Sequence, residues 1–434
     1  MTESPESKLP PLPSLAYRRY LIVIITVGFA LNLFDRQIVG ILMQPIKNEF
    51  QLSDTQLGLL SGLAFAVFYA TLGIPIAKLA DRKSRRAIMS LSMAVWSGMT
   101  AIGGLAANSW QLILSRMGVG VGEAGFTPAA FSMIADYFPK HSRVLVISLV
   151  NIGPIIGIML GLVVGGWAAE TVGWRGALFI AGLPGLAFAA LFWLTAREPI
   201  RGWADRLEGA SLPQDDVSPQ RAAPISHWRV PSYKWVVVGT CFFNFCIFGV
   251  ATWLPSLLDR AYGIGPAQAG MVLGTVFGIF GGIGIVGGGW LAQRLARRDP
   301  RWLLWLPALA ALLSIPLVAI ALMSGRWEVM VGLYAVAYCF SFAYIGPAFS
   351  TVQSLVPVNR RAVATAWMMF FVNLVGLGLG PQIVGIASDL LLAAGIEQSL
   401  RYAMIAVSAC FVIPSVAFLL AARTMVRDMD AADS

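Results

Sequence analysis

The chain has 434 residues, 57% of them hydrophobic and only 12% charged, with 31 Lys and Arg against 22 Asp and Glu for a net charge of +9. A soluble chain carries roughly 25% charged residues, so the composition excludes an ordinary cytosolic enzyme, a disordered scaffold and a secreted disulfide framework. Loop topology in a membrane protein explains the basic surplus, and no nucleic-acid partner is expected.

A bilayer core needs about 20 mostly apolar residues per helix. The first half supplies Tyr20–Met43, Leu57–Leu79, Ala87–Ala107, Gln111–Ala135, Val144–Ala169 and Gly176–Ala196. The second half supplies Trp235–Leu258, Ala267–Ala292, Trp302–Met323, Val329–Val356, Ala362–Ser388 and Tyr402–Ala422. In hydrocarbon each segment must satisfy its own backbone, so all twelve are expected to be helices. Arg18 and Arg19 before an apolar run could mark a signal peptide, but apolar residues resume after Asp35-Arg36 without a small-residue cleavage site. The first span is therefore expected to stay in the protein.

Basic residues orient the chain. Lys47, Arg175, Arg260, Arg326 and Arg401 fall in one set of loops, Arg36 and Arg116 fall inside spans, and the other 24 fall on the opposite side. The positive-inside rule then places both termini in the cytoplasm of a plasma-membrane protein. Residues 1–19 form a cytoplasmic lead, 20–196 a six-helix bundle, 197–233 a proline-rich cytoplasmic linker, 234–422 a second six-helix bundle and 423–434 a cytoplasmic tail.

The two halves repeat. Shifting the first by 212 residues lays Asn32 on Asn244, Gln56 on Gln268, Gly58 on Gly270, Gly62 on Gly274 and Phe65 on Phe277. Leu79–Arg86 then falls on Leu291–Arg298. A duplicated six-span unit is the parallel repeat of secondary transporters, with the central site between the halves.

The loop Leu79-Ala80-Asp81-Arg82 with Arg85-Arg86 resembles the signature loop of the major facilitator superfamily, although Ala77 and Ser84 replace its usual glycines. Asn32-Leu33-Phe34-Asp35-Arg36, Gly58-Leu59-Leu60-Ser61-Gly62 and Arg116-Met117-Gly118-Val119-Gly120-Val121-Gly122-Glu123-Ala124 are similar to the spinster-like branch. The resemblance implies an all-α protein of two six-helix bundles that moves a lysolipid or sphingolipid-like substrate by alternating access. The alternative left open is a carrier of organic anions or drug-like amphiphiles.

Four ionisable residues sit inside spans: Asp35, Arg36, Arg116 and Glu123. Each costs about 2.5–3.5 kcal/mol at a helix centre, so each must face protein interior or a wet cavity. The repeat has Ile247 and Phe248 at the places of Asp35 and Arg36, and Ala335 and Phe342 at those of Arg116 and Glu123. A common framework therefore does not need these charges, and the second half is expected to offer an apolar wall.

Burial favours the neutral form of a carboxylic acid, and a neighbouring Arg favours the ionised one. Carboxylates that exchange Arg partners between conformations would take up and release protons. Asp35 and Glu123 are thus the expected proton carriers, with Arg36, Arg116 and Asn32 as ion-pair or substrate groups. A static Asp35–Arg116 or Glu123–Arg pair is the structural alternative.

Asp81, Arg82, Arg85 and Arg86 are expected at a cytoplasmic gate. Gly153, Pro154, Gly157 and Gly161 resemble an antiporter motif, and packing or bending of the fifth span accounts for them equally well. Tyr69, Trp253, Tyr344 and Asn373 are candidates for cavity lining. Cys241, Cys246, Cys339 and Cys410 lie in apolar stretches and the two histidines in polar loops, so no metal, cofactor or enzymatic centre is expected. A channel or membrane sensor is the other function class; the duplicated halves and the buried acid–base set favour a carrier over it, and the carrier is expected to be a monomer.

Overall fold

The computed structural model describes residues 10–80, 82–207, 227–357 and 360–433, and these form helices joined by short turns. Twelve rods follow one another. The first six are α1 (Leu15–Phe50), α2 (Asp54–Ala80), α3 (Arg85–Gly103), α4 (Ser109–Glu123 continued by Phe126–Tyr137), α5 (Lys140–Val150 continued by Ile152–Thr171) and α6 (Gly173–Thr195). The next are α7 (Pro231–Tyr262), α8 (Pro266–Ala296), α9 (Trp302–Met323) and α10 (Trp327–Ser354). The last are α11 (Arg361–Phe371, a π-helical stretch Val372–Leu379, then Gly380–Ala393) and α12 (Ser399–Ala409 continued by Val412–Asp433). A short helix, Trp203–Leu207, and a 3-10 turn, His227–Arg229, lie between α6 and α7.

Ten of the rods are long and apolar enough to cross a membrane. The other two, α3 and α4, carry the polar interior. Ser90, Ser92, Ser97 and Thr100 on α3 and Ser115, Arg116 and Glu123 on α4 are buried. With 19 residues, α3 is about 28 Å long, close to a hydrocarbon core.

Local sequence sets the rod ends. The Ser14 hydroxyl accepts from the Tyr17 N–H to open α1, and α1 closes on Gln51 in the left-handed region at φ 52°. Ser53 and Gln56 form a reciprocal capping box that starts α2 within three residues. Pro231 and Pro266 begin α7 and α8, where a missing N–H costs nothing.

Glycine decides how close the rods come. A Cβ on Gly153, Gly157 or Gly161 of α5 would fall on the backbone carbonyls of Thr26, Ala30 and Phe34 in α1. Those glycines therefore pack α5 directly onto α1, and a side chain there would force the helices apart.

The two halves meet at the face remote from the chain ends. A Cβ on Gly58 of α2 would strike Pro381 and Gln382 of α11, and one on Gly62 would strike Leu377 and Gly378. Both rods carry a π-helical turn at this contact. On the other flank Gly270 of α8 lies against Leu162 of α5, and Gly166 lies against Pro266. Toward the chain-end face Gly282, Gly287 and Gly289 of α8 have open space beside them.

A polar lock reinforces the closed face. Buried Asp54, at the start of α2, accepts from Lys47 Nζ at 2.5 Å, from both terminal nitrogens of Arg260 at 2.8 Å and from Ser388 Oγ at 2.7 Å. Asp389 of α11 in turn accepts from the backbone N–H groups of Asp54 and Thr55 at 3.0 and 2.8 Å. A carboxylate from one half thus caps the exposed helix start of the other, where orphan N–H groups and the helix dipole favour an anion. Arg260 Nε also donates to Gln44 of α1 at 2.8 Å.

Candidate functional site

The candidate site is built on four rods of the first half. α1 brings Asn32, Asp35 and Arg36, α2 brings Phe65 and Tyr69, α3 brings Thr100, and α4 brings Arg116 and Glu123. Successive helical residues point about 100° apart, so Asp35 and Arg36 serve different neighbours. Arg36 turns to α4, where Nη2 donates to Glu123 Oε2 at 2.5 Å and Nε to the same oxygen at 3.2 Å. Asp35 turns to α3, where Thr100 Oγ1 donates to its Oδ2 at 3.2 Å.

Aromatic rings form the floor. The Arg36 guanidinium lies 4.7 Å from the Phe65 ring centre and 4.9 Å from that of Tyr69, and the two rings stack on each other at 5.3 Å. The Arg116 guanidinium lies 5.6 Å from Phe65. Cation–π attraction of about 0.5–2 kcal/mol per contact partly offsets the desolvation of these charges. The Glu123 side chain is fully enclosed, while Arg36 keeps 16% of its side chain exposed. Arg36 is therefore the partner that can change its contacts first.

The quartet holds two acids and two guanidinium groups, yet is unevenly bonded. Asp35 Oδ1, Glu123 Oε1 and the Nε and Nη1 atoms of Arg116 are buried without a hydrogen-bond partner. Sequence reasoning offered a Glu123–Arg pair or an Asp35–Arg116 pair; the structure contains the first, made with Arg36. Asp35 is bonded to Thr100 instead. Asn32 is buried one turn before Asp35 on the same helix.

The other lining candidates lie in the second half and bond within it. Ile247, which stands at the place of Asp35 in the repeat, is buried. Trp253 is fully buried and its Nε1 donates to the Pro381 carbonyl at 3.0 Å, joining α7 to α11. Tyr344 is also buried, accepts from Asn244 Nδ2 at 2.6 Å and stacks on Phe243 at 4.5 Å. Asn373 is half-buried and bonds back to the Met369 carbonyl at 2.8 Å. Of the four proposed lining residues, Tyr69 is the one the structure brings to the charged quartet.

The second cluster sits at the chain-end face. Asp81 lies outside the described residues. Arg82 is exposed. Arg85 is buried and is the hub of a network inside the first half, paired with Asp136 and with Glu198 Oε1 at 3.1 Å and bonded to Ser132 Oγ at 3.2 Å. Arg86 donates its backbone N–H to Glu198 Oε2 at 2.8 Å and lays its guanidinium 4.3 Å from the Trp193 ring. Burial pushes the Glu198 carboxyl up, but the N–H groups of Arg86 and Arg85 and the Ser84 hydroxyl hold it below its ordinary value. Its contribution to stability is accordingly complete above the ordinary carboxylate range and is lost as pH falls through the lowered value.

Arg85→Ala should leave Asp136 and Glu198 without their cation. Breaking a buried pair from one side costs about 3–5 kcal/mol, and the partial exposure of Glu198 places this variant at about 3 kcal/mol. A thermal unfolding scan in detergent checks it, and an unchanged midpoint would remove Arg85 from the hub role.

The fold, the duplicated halves and this charged centre can be set against known proteins. The profile of the Major Facilitator Superfamily matches residues 25–381. The chain belongs to the major facilitator superfamily. It is 33% identical to an MFS-type efflux pump of Mycolicibacterium smegmatis, over 94% of this chain and 93% of that protein. It is 26% identical to a sphingosine-1-phosphate transporter of Xenopus tropicalis, over 94% of this chain and 82% of that protein.

Among solved structures, a bacterial homologue of the human lysosomal transporter Spinster, inward-facing and unoccupied, superposes with a TM-score of 0.88. The identity is 29%, over 96% of this chain and 99% of that one. Within the superfamily the chain is a transporter of the spinster type and not an enzyme. Asn32 to Arg36 and Arg116 to Glu123, the segments similar to that branch, are the ones that build the quartet.

Proposed function

We propose that this protein is a proton-coupled carrier of an amphipathic lysolipid or sphingolipid-like substrate, working by alternating access as a monomer in the plasma membrane with both termini in the cytoplasm. One observation carries the reading: the enclosed Glu123 is paired with the partly exposed Arg36 above an aromatic floor, with the second acid, Asp35, on the adjoining residue. An anionic headgroup entering from the open face competes with Glu123 for the planar guanidinium of Arg36, which suits phosphate. Glu123 released from Arg36 then takes a proton, and Asp35 takes the second role beside it. Arg116 adds a second guanidinium beside the same aromatic floor, and Asn32 adds a polar contact. The sphingosine-1-phosphate transport of the Xenopus relative and the apolar second half support an amphiphile with its head toward α1 and α4.

The bonding of the two halves at the face remote from the chain ends, together with the inward-facing neighbour, supports a cytoplasm-open conformation. Asp81 and Arg82 then belong to the gate that closes on the cytoplasmic side, and Arg85 and Arg86 anchor the loop that carries them. Gly153, Gly157 and Gly161 serve as the α1–α5 packing seam, with Pro154 in the first turn after the break at Asn151.

The similarity to an efflux pump favours a second reading, export of drug-like amphiphiles. Purified protein in liposomes separates the two: a fluorescent lysophospholipid and ethidium are supplied in turn, with and without a pH gradient. Gradient-stimulated, saturable movement of the lysophospholipid is expected. Movement of ethidium alone would replace the lipid reading, and no response to the gradient would remove proton coupling.

A further inference from the structure

Several helical threonines in this chain donate to the carbonyl one turn back. Thr26 bonds Ile22 at 2.7 Å, Thr71 bonds Val67 at 2.6 Å, Thr195 bonds Leu191 at 2.7 Å, and Thr240 bonds Val236 at 2.7 Å. Back-bonding satisfies the hydroxyl proton locally in an apolar helix. Thr100 departs from the pattern. Its Oγ1 reaches from α3 to α1 and donates to Asp35 Oδ2, and both residues are buried. The other carboxyl oxygen, Oδ1, is enclosed without a hydrogen-bond partner.

A threonine hydroxyl has one proton to give. Aimed at Oδ2, it stabilises the ionised carboxylate and makes that oxygen the poorer place for an arriving proton. We infer that Thr100 is a positioning residue for proton coupling: it fixes the Asp35 carboxyl against α3 and selects Oδ1 as the atom that carries the proton. The inference rests on the reading of Asp35 as a carrier. The proton arrives from water on one side and leaves to water on the other, and no other bond changes.

Further charges act on the same carboxyl. Arg116 and Glu123 of α4 do so through space, Arg36 follows it on α1 paired to Glu123, and Tyr69 of α2 lies under Arg36. Removing Thr100 leaves all of these in place, so its effect can be read separately.

The test compares Thr100→Val, Thr100→Ser and Asp35→Asn with wild type in liposomes, following fluorescent lysophospholipid flux across a series of pH values. Thr100→Val keeps the shape of the side chain and removes the donor. Losing a hydrogen bond to a charged group weakens the ionised form about tenfold, so the midpoint of the profile should move up by about one pH unit. Thr100→Ser should restore it, and Asp35→Asn should flatten the profile. A flat Asp35→Asn profile beside an unmoved Thr100→Val midpoint overturns the role of Thr100 and spares the carrier reading. A wild-type profile in Asp35→Asn overturns both.

Infrared difference spectra of the wild-type protein minus Asp35→Asn give a measurement that does not depend on Thr100 variants folding. The protonated Asp35 carbonyl should absorb at the lower frequency of a hydrogen-bonded group. A free carbonyl frequency overturns the inference.

Discussion

Asp54→Asn should open the face that the lock now holds shut. The substitution keeps the shape of the side chain and removes the charge that Lys47 and Arg260 share, while Asp389 still caps the start of α2. Breaking a fully buried pair from one side costs about 3–5 kcal/mol. Lys47 and Arg260 keep 25% and 24% of their side chains exposed, and water takes up part of that loss. About 2 kcal/mol is then expected, roughly a thirtyfold change in the ratio of the two conformations.

Only bonds that cross between the halves bias that ratio. Lys47 and Asp54 belong to the same half and stay together in either conformation. Arg260, Ser388 and Asp389 come from the other half. Spin labels on exposed Asn48 and Ala393 should report a longer distance population that rises in Asp54→Asn. An unchanged distribution would mean that the glycine contacts of α2 with α11 hold the face closed without the lock.

The lock also shows where reading a sequence stops. Lys47 and Arg260 look like loop charges when topology is counted, and both turn out to lie in helices, α1 and α7. Asp54 and Asp389 are separated by 335 positions in the chain, and no local pattern pairs them. Hydropathy found the apolar body of each rod but not its length: α1 runs 36 residues because its polar ends continue the helix into the lock and the chain-end network. The π-helical turns of α2 and α11 had no signature beyond the glycines that face each other across the contact.

The charged quartet was more legible, for an energetic reason. An ionisable residue inside a span is costly, so Asp35, Arg36, Arg116 and Glu123 stood out without knowledge of their neighbours. Their pairing was not legible, since rotation of α1 alone decides whether Arg36 or Asp35 meets α4. Thr100 was missed because a threonine in an apolar helix ordinarily bonds its own backbone. Trp253 and Tyr344 looked like lining because both are amphipathic, and their polar atoms are taken by Pro381 and Asn244.

Glu123→Gln tests the quartet most severely. The amide keeps an oxygen for Arg36 but cannot take up a proton. One proton coupled across a gradient of one pH unit supports about tenfold accumulation of substrate. If Glu123 carries that proton, accumulation in liposomes should fall from about tenfold to none. Exchange of labelled for unlabelled fluorescent lysophospholipid, which needs no net proton movement, should continue. Arg36, no longer held by a carboxylate, should bind an anionic headgroup at least as well as before. A merely structural pair predicts a different result, in which exchange and thermal stability fall together because α1 and α4 lose their tie. Preserved accumulation would move the proton to Asp35 alone.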